Sequence, residues 1–355
     1  MRADETPVQA PVRRRRGPSM ADVAQLAGVS GQTVSRVANG RVNVDADTRE
    51  RVLAAMRQVG YRPNSAARAL RNGRFRGIGV IVFGLSSFGN TRTLDAVATA
   101  ATASGYAVNL IPVPDATQSA LSGAFDRLGE QAVDGVIILI EAHRLDEADV
   151  RMPEGMPVVV IDSNADLDYP VVDTDQAQGA RLAVEHLLDL GHRTVWHLGG
   201  PEDSYAASRR LRSWRQTLTD RGCTVPPVLT GDWSAGSGYE AGRELAANPD
   251  VTAVFAANDQ MALGLLRALH ERGRAVPGDV SVVGFDDMEE AAQFWPPLTT
   301  IRQSFAEVAR RSVDALIDEI QAGEHHHQPV AVGTELVVRA STAPPRGTTA
   351  ARPGS

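Results

Sequence analysis

SMADVAQLAGVSGQTVSRVANG, residues 19–40, decides how the N-terminal part of the chain folds. Ser19, with Asp22 three positions on, has the S-x-x-[DE] form of a helix start. Val23, Leu26 and Ala27 then recur at i, i+3 and i+4 and give a first helix one apolar face. Gly28-Val29-Ser30 interrupts it. Gly28 can take the left-handed backbone of a tight turn, and Ser30 can cap a second helix over 31–39 with Val34 and Val37 inward. A third helix is expected over 48–59. Two short helices, a Gly-bearing turn and a third helix make a helix-turn-helix unit.

In such a unit the N-terminal part of the second helix enters the major groove of DNA. Its outward residues are Gly31, Gln32, Ser35, Arg36 and Asn39, with Ser30 and Thr33 at its start. Gln32 and Arg36 are four apart, hence on one face. Gln can read adenine and Arg guanine through paired hydrogen bonds; the competing reading is a solvated polar face. Charge favours the first. Up to Arg76 there are 15 arginines and 6 acidic residues, a net of +9, and beyond it 21 arginines and 37 acidic residues, a net of −16. A basic head on an acidic body suggests that only the head meets a polyanion. All 36 basic residues are arginine, so Arg at any single position is weak evidence for paired recognition.

YRPNSAARAL, residues 61–70, follows. Pro63 disfavours helix just before it, and Asn64 can cap a short helix with a face of small residues, leaving Leu70 exposed beside arginines. That is the composition of a minor-groove wedge, or of an ordinary linker.

Near Arg76 the pattern changes. β-branched runs at 78–83, 106–111, 135–140, 157–161, 194–198, 252–256 and 280–285 alternate with helical stretches such as 176–190, 208–221, 259–272 and 305–321. Alternation of this kind argues doubly wound parallel sheets. The strands are too many for one small sheet, so two subdomains with a cleft between them are expected. The full organisation reads as a disordered basic arm (1–18), a helix-turn-helix domain (19–62), a hinge helix and linker (63–76), an α/β body with crossovers near 174, 303 and 334 (77–342), and a disordered tail (343–355). The apolar runs reach about six residues where a membrane span needs about 20. No apolar segment follows the arginines at 13–16, and Cys223 is the single cysteine. Both features suit a cytoplasmic protein.

Open α/β sheets bind ligands beyond the carboxyl ends of their strands. Asp162, Asn258 and Asp286 each end a run there, and acidic and amide side chains can bind paired sugar hydroxyls. Trp233 or Phe305 could stack on a sugar's apolar face. Asp162 and Asn258 are equally fit to cap the next helix, Trp233 to be packing, and Arg210, within the run 209–212, to be a solvated face.

The head motif, its continuation VDADTRERVLAAMRQVGYRPNSAARAL, and the body segments EHLLDLGHRTVWHLGGP, GDWSAGSGY, FAANDQMALGLLRAL and DVSVVGFDDMEEAAQFWPPLTTIRQ resemble the lactose-repressor/galactose-repressor family over about 19–342. The second half resembles its lactose branch. The resemblance implies a body similar to a periplasmic sugar-binding protein and a head that binds palindromic operators as a dimer. It implies operator reading by Gln32, Arg36 and neighbours, and a hinge helix through Asn64, Ala67 and Arg68 with Leu70 inserted at the dyad. It carries effector contacts onto Asp162, Arg210, Trp233, Asn258, Asp286, Gln303 and Phe305. The chain departs from the lactose branch at Leu139, where that branch has a polar residue, so the N-terminal wall is expected to differ.

The expected function is therefore a DNA-binding repressor controlled by a small molecule, a sugar or glycoside acting as inducer. A corepressor or a sugar carrier is the alternative. No G-x-S-x-G, phosphate loop or H-E-x-x-H is present, so no enzyme and no cofactor are expected. The cluster at 325–327 reads as an exposed loop, not a metal site. After Thr342 two prolines and small polar residues exclude a coiled coil, so a homodimer is expected, not a tetramer.

Overall fold

The computed structural model describes residues 17–39, 43–62, 73–85, 87–113, 117–139, 155–161, 169–322 and 329–346. It comprises two compact units, Met1–Phe75 and Arg76–Ser355.

In the first unit, α1 (Met20–Ala27), α2 (Gly31–Ala38) and α3 (Ala46–Val59) surround a small core of Val23, Ala27, Val34, Val37, Val52, Ala55 and Met56. The expected capping box is present: Ser19 Oγ accepts from the Asp22 amide, and Asp22 accepts the Ser19 amide at 2.7 Å. Gly28 closes α1 at φ 65, and Ser30 Oγ accepts from the Thr33 amide at 3.1 Å to start α2. Two expectations need correction. Leu26 is 46% exposed: at about 100° per residue it lies about 60° to one side of Val23 and about 100° from Ala27, at the edge of the face that those two residues bury. Helix α3 begins two residues early, because Asp45 Oδ1 caps it through the Thr48 amide at 2.8 Å. Val23, Val34 and Val52 are fully buried. Each contributes about 2 kcal/mol of apolar transfer, so a charge at position 34 would dissolve so small a core.

The second unit starts with β1 (Gly77–Phe83), α4 (Phe88–Ala103), β2 (Ala107–Val113), α5 (Gln118–Glu130), β3 (Gly135–Leu139), β4 (Val158–Ile161) and β5 (Val171–Thr174). It continues with α6 (Gln176–Asp189), β6 (Trp196–Gly199), α7 (Tyr205–Asp220), β7 (Val228–Thr230), α8 (Ala235–Ala247), β8 (Ala253–Ala256), α9 (Asp259–Glu271) and β9 (Ser281–Asp286). A 3-10 turn (Glu289–Gln293), β10 (Thr299–Arg302), α10 (Phe305–Ala322), β11 (Val330–Val332) and β12 (Glu335–Val337) complete it.

These form two six-stranded sheets, ordered β11-β5-β4-β3-β1-β2 and β12-β10-β9-β8-β6-β7. The pairings are parallel except β10 with β12. Strands β1, β3 and β4 are buried throughout and read as continuous apolar runs, as strands covered on both faces do. The chain passes from the first sheet to the second after β5, returns after β10 and crosses again between β11 and β12. Gln178 ties two of these crossings: its Oε1 accepts from the Thr334 amide at 2.7 Å and hydroxyl at 3.0 Å. Helix α10 packs against α4 and so belongs to the first subdomain.

Residues 343–346 extend the ordered body past the expected start of the tail. The Ala343 amide donates to Ser281 Oγ at 3.0 Å, its carbonyl accepts from the same hydroxyl at 2.9 Å, and Arg346 pairs with Asp279. Among the described residues no helix is long and apolar enough to cross a membrane. The cluster at 325–327 lies outside the described residues.

Candidate functional site

In the head, Gly31, Gln32 and Arg36 are exposed on α2, while Thr33, Ser35 and Asn39 are half-buried. Val34 and Val37 hold the opposite face in the core. Asn39 Nδ2 donates to Ser35 Oγ at 3.2 Å and fastens the end of the helix. The helix thus presents Gln32 and Arg36 one turn apart on an outer face, beside the N-terminal amides capped by Ser30. Asn64, Ala67, Arg68 and Leu70 lie outside the described residues.

In the body a cleft of about 650 Å³, part of it open to solvent, lies at the carboxyl ends of both sheets. Six of the seven candidate effector residues line it: Arg210, Trp233, Asn258, Asp286, Gln303 and Phe305. The seventh, Asp162, lies outside the described residues.

The floor belongs to the second subdomain. Arg210 is 4% exposed on α7, not on a solvated face. Its Nε donates to Gln176 Oε1 at 2.8 Å and Nη1 to the Ala257 carbonyl at 2.5 Å. Its guanidinium lies 3.7 Å over the Phe285 ring centroid, and Nη2 is 4.0 Å from Asp286 Oδ1. The same Asp286 oxygen accepts from Gln303 Nε2 at 2.6 Å. Burial pushes the Asp286 carboxyl up to about 6, against the opposing pull of Arg210 and then of Gln303. Beneath Phe285 an aromatic column continues through Phe255, His197 and Trp214. Burial holds the His197 imidazole down at about 4, so the column is neutral near pH 7.

Asn258 caps the next helix, as one of its two sequence readings expects, and it also lines the cleft. Its Oδ1 caps α9 through the Met261 amide at 2.8 Å, while Nδ2 donates to the Trp233 carbonyl at 2.9 Å. That bond helps fix Trp233, which sits at a left-handed φ of 72. The indole also lies against Gly200, where any Cβ would run into the ring.

The opposite wall comes from the first subdomain. Phe88, Leu139, Ile161, Phe305 and Val308 supply apolar surface, and Ser87, Asn90 and Thr93 supply polar edges. Phe88 meets Phe305 edge-on with ring centroids 6.1 Å apart. Asn90 Nδ2 is spent on the Phe83 and Gly84 carbonyls, both at 3.1 Å. Leu139 does line the cleft.

Sequence reasoning missed Gln176, Asp173, Phe88 and Asn90. Asp173, next to last in β5, forms an ion pair with Arg209 of α7, so it joins the two subdomains at the cleft. The short run Val171-Val172 was the available signal. Taken as a strand, it would have placed Asp173, Thr174 and Gln176 at a carboxyl end.

The arrangement offers a carboxylate, a guanidinium and two amides to hydroxyl groups and an indole to an apolar ring face. Among the described residues no cluster could hold a metal ion.

The description "Bacterial regulatory proteins, lacI family" matches residues 19–64, and "Periplasmic binding protein-like domain" matches 184–342. The Lactose operon repressor of Escherichia coli (strain K12) is 36% identical over 93% of this chain and 92% of its own length. The HTH-type transcriptional regulator CelR of Thermobifida fusca is 36% identical over 92% of this chain and 99% of its own. Among solved structures, the lac repressor dimer bound to operator and the anti-inducer ONPF superposes with a TM-score of 0.81 at 35% identity, covering 92% of this chain and 100% of that one. A CelR–cellobiose complex superposes with a TM-score of 0.68 at 32% identity, covering 91% and 99%. On a lacI-type head and similarity along nearly its whole length, this chain belongs to the lacI family of bacterial regulatory proteins.

Proposed function

We propose that this chain is a transcriptional repressor, not an enzyme, that binds a palindromic operator as a homodimer and releases it when a sugar or glycoside enters the body's cleft. The observation that carries it is the convergence of Arg210, Trp233, Asn258, Asp286 and Gln303 on one cleft in a chain with a helix-turn-helix head. Relatives that bind operator with an anti-inducer, or cellobiose, support the same reading. In it, Ser30, Gly31, Gln32, Thr33, Ser35, Arg36 and Asn39 contact DNA, Asn64, Ala67, Arg68 and Leu70 form a hinge helix in the segment 63–76, and Asp162 completes the cleft. The protein acts in the cytoplasm, where its DNA is.

The mechanism follows from linkage. The cleft takes side chains from both subdomains, so an effector that touches both binds the closed arrangement better than any other. The hinge joins the head to β1 of the first subdomain. An effector that favours an arrangement in which paired hinges cannot form lowers operator affinity, and operator lowers effector affinity by the same factor.

Gel shift against a randomised palindrome library, with a panel of mono- and disaccharides, tests the whole reading. One selected palindrome, released by one sugar, is the expected outcome; no selected sequence, or selection indifferent to every sugar, overturns it. Arg36→Ala should cost about 1–3 kcal/mol of specific binding at one base pair of each half-site. Unchanged selection at every position would remove Arg36 from the reading set.

A further inference from the structure

Asp259 is the first residue of α9, fully buried and directly behind the cleft. Its Oδ2 accepts from the Met288 amide at 2.9 Å, and its Oδ1 accepts from the Thr300 hydroxyl at 2.6 Å. One carboxyl group therefore ties together the start of α9, strand β10 and the segment that leaves β9. Gly284, on β9, leaves room for it: a Cβ there would run into Asp259 Oδ1.

The segment it ties is unusual. Asp286 and Asp287 both have left-handed backbones, φ 117 and 53. Each such residue costs about 1–3 kcal/mol and persists only where its surroundings impose it. Arg302, at 2.7 Å, and Arg339, at 2.5 Å, hold the Asp287 carboxylate. Asp259 holds the next backbone N–H, that of Met288. Directly before these anchors, the end of β9 aims Asp286 at Gln303 and Arg210.

We propose that Asp259 is the positioning residue of the cleft: it pins the turn after β9 and so sets where the Asp286 carboxylate meets an effector. This rests on the effector reading above but has a readout independent of it. The charged groups around the turn are Arg210 from α7, Asp259 from α9, Asp287 within the turn, and Arg302 and Arg339 beyond it. Burial, reinforced by the charge of Asp286, raises Asp259 well above the usual carboxylate range. An asparagine there keeps an oxygen for the Met288 amide and sets its NH2 group against the Thr300 hydroxyl oxygen, which can accept as well as donate, so both ties can persist.

The test uses the full-length protein labelled with 13C at aspartate carboxyls, with Asp286→Asn to assign the resonance. In the unliganded protein Asp286 should titrate at about 6. In Asp259→Ala the freed turn admits water, and the titration should move toward the usual carboxylate range; in Asp259→Asn it should stay near the wild-type value. Effector affinity should fall about tenfold in Asp259→Ala and stay within about twofold in Asp259→Asn, as expected for one buried hydrogen-bonding group. If Asp259→Ala does not fold, Thr300→Val removes one of the two ties and should shift Asp286 in the same direction by less. A variant that folds, has lost the carboxyl or its Thr300 partner, and leaves the Asp286 titration unmoved overturns the proposal. Titration that shifts in Asp259→Ala and is restored in Asp259→Asn, in a protein that binds no sugar of the panel, overturns the effector reading alone.

Discussion

The two sides of the cleft are made of different material. The floor, from the second subdomain, carries Arg210, Asp286, Asn258 and the indole of Trp233, with Gln303 at the crossover. The wall, from the first, is mostly Phe88, Leu139, Ile161, Phe305 and Val308, with Ser87 and Thr93 at its edge and the Asn90 amide already bonded to nearby backbone. Directional bonds fix which hydroxyls a ligand must have, whereas apolar surface is tolerant of shape and gains by excluding water. The floor is thus the part that chooses, and the wall is the part that closes. Changes on the floor should abolish recognition, and changes on the wall should trim affinity.

The largest effect is expected at Asp286. Asp286→Ala removes the acceptor of Gln303, the counter-charge of Arg210 and the carboxylate offered to effector hydroxyls. Loss of a charged hydrogen-bonding partner in a buried site should weaken effector binding about 100-fold, while operator binding stays near wild type. Calorimetry that returned wild-type affinity would move recognition off the floor altogether.

Next comes pH. Burial raises Asp286 to about 6 in the folded protein, above its unfolded value. In the unliganded protein its contribution to stability is therefore fully present at acid pH and is lost as pH rises through about 6. Effector binding should run the opposite way, because sugar hydroxyls donate to the ionised carboxylate. Affinity should fall about tenfold between pH 7 and pH 5, and Asp286→Asn should flatten the profile. A flat wild-type profile would mean that the effector does not use this carboxylate.

The same contrast explains what the sequence revealed. Floor residues are polar and follow clear strand signals, as Asn258 follows β8 and Asp286 ends β9. A polar group at the end of an apolar run stands out. Arg210 was visible only through the family resemblance, because a helix interior gives no strand-end signal and its own run of arginines suggests a solvated face. The wall had no such marker. Leu139 and Ile161 end strands that are buried throughout, so nothing local separates cleft lining from core. Phe88 begins α4, whose Ala- and Thr-rich sequence has a weak apolar stripe. Strands β5, β7 and β10–β12 are three or four residues long, too short for alternation to show. The head was legible almost residue by residue, since caps are local: each depends on one side chain and an amide three positions away.

A smaller effect should come from the ion pair between Asp173 and Arg209, which spans the two sides. The Arg209 side chain is 27% exposed and that of Asp173 only 8%, so the pair is more than a solvated contact yet screened on one side. Closure of the wall over the floor should be worth about fivefold in effector affinity through this pair. Asp173→Asn and Arg209→Gln should each speed effector release, and the exchanged pair Asp173→Arg with Arg209→Asp should recover part of the loss. Additive losses in the double variant would show that the two groups act separately.

The smallest effect should be on the wall itself. Phe88 is half-buried at the N-terminus of α4 and touches Phe305 edge-on. Phe88→Leu keeps an apolar group of lesser area, so the helix cap at Ser87 and the contact with α10 survive. The area lost to an effector is a fraction of one ring, and at about 25 cal/mol per Å² that corresponds to a two- to threefold change in affinity. The change should be the same for every sugar that binds, because the Phe88 ring offers no directional bond. Titration of the variant against the full panel separates the two sides cleanly. A uniform small loss keeps the wall as cover, whereas a loss confined to one sugar, or a new sugar accepted, would make Phe88 a selecting residue and erase the division between the sides.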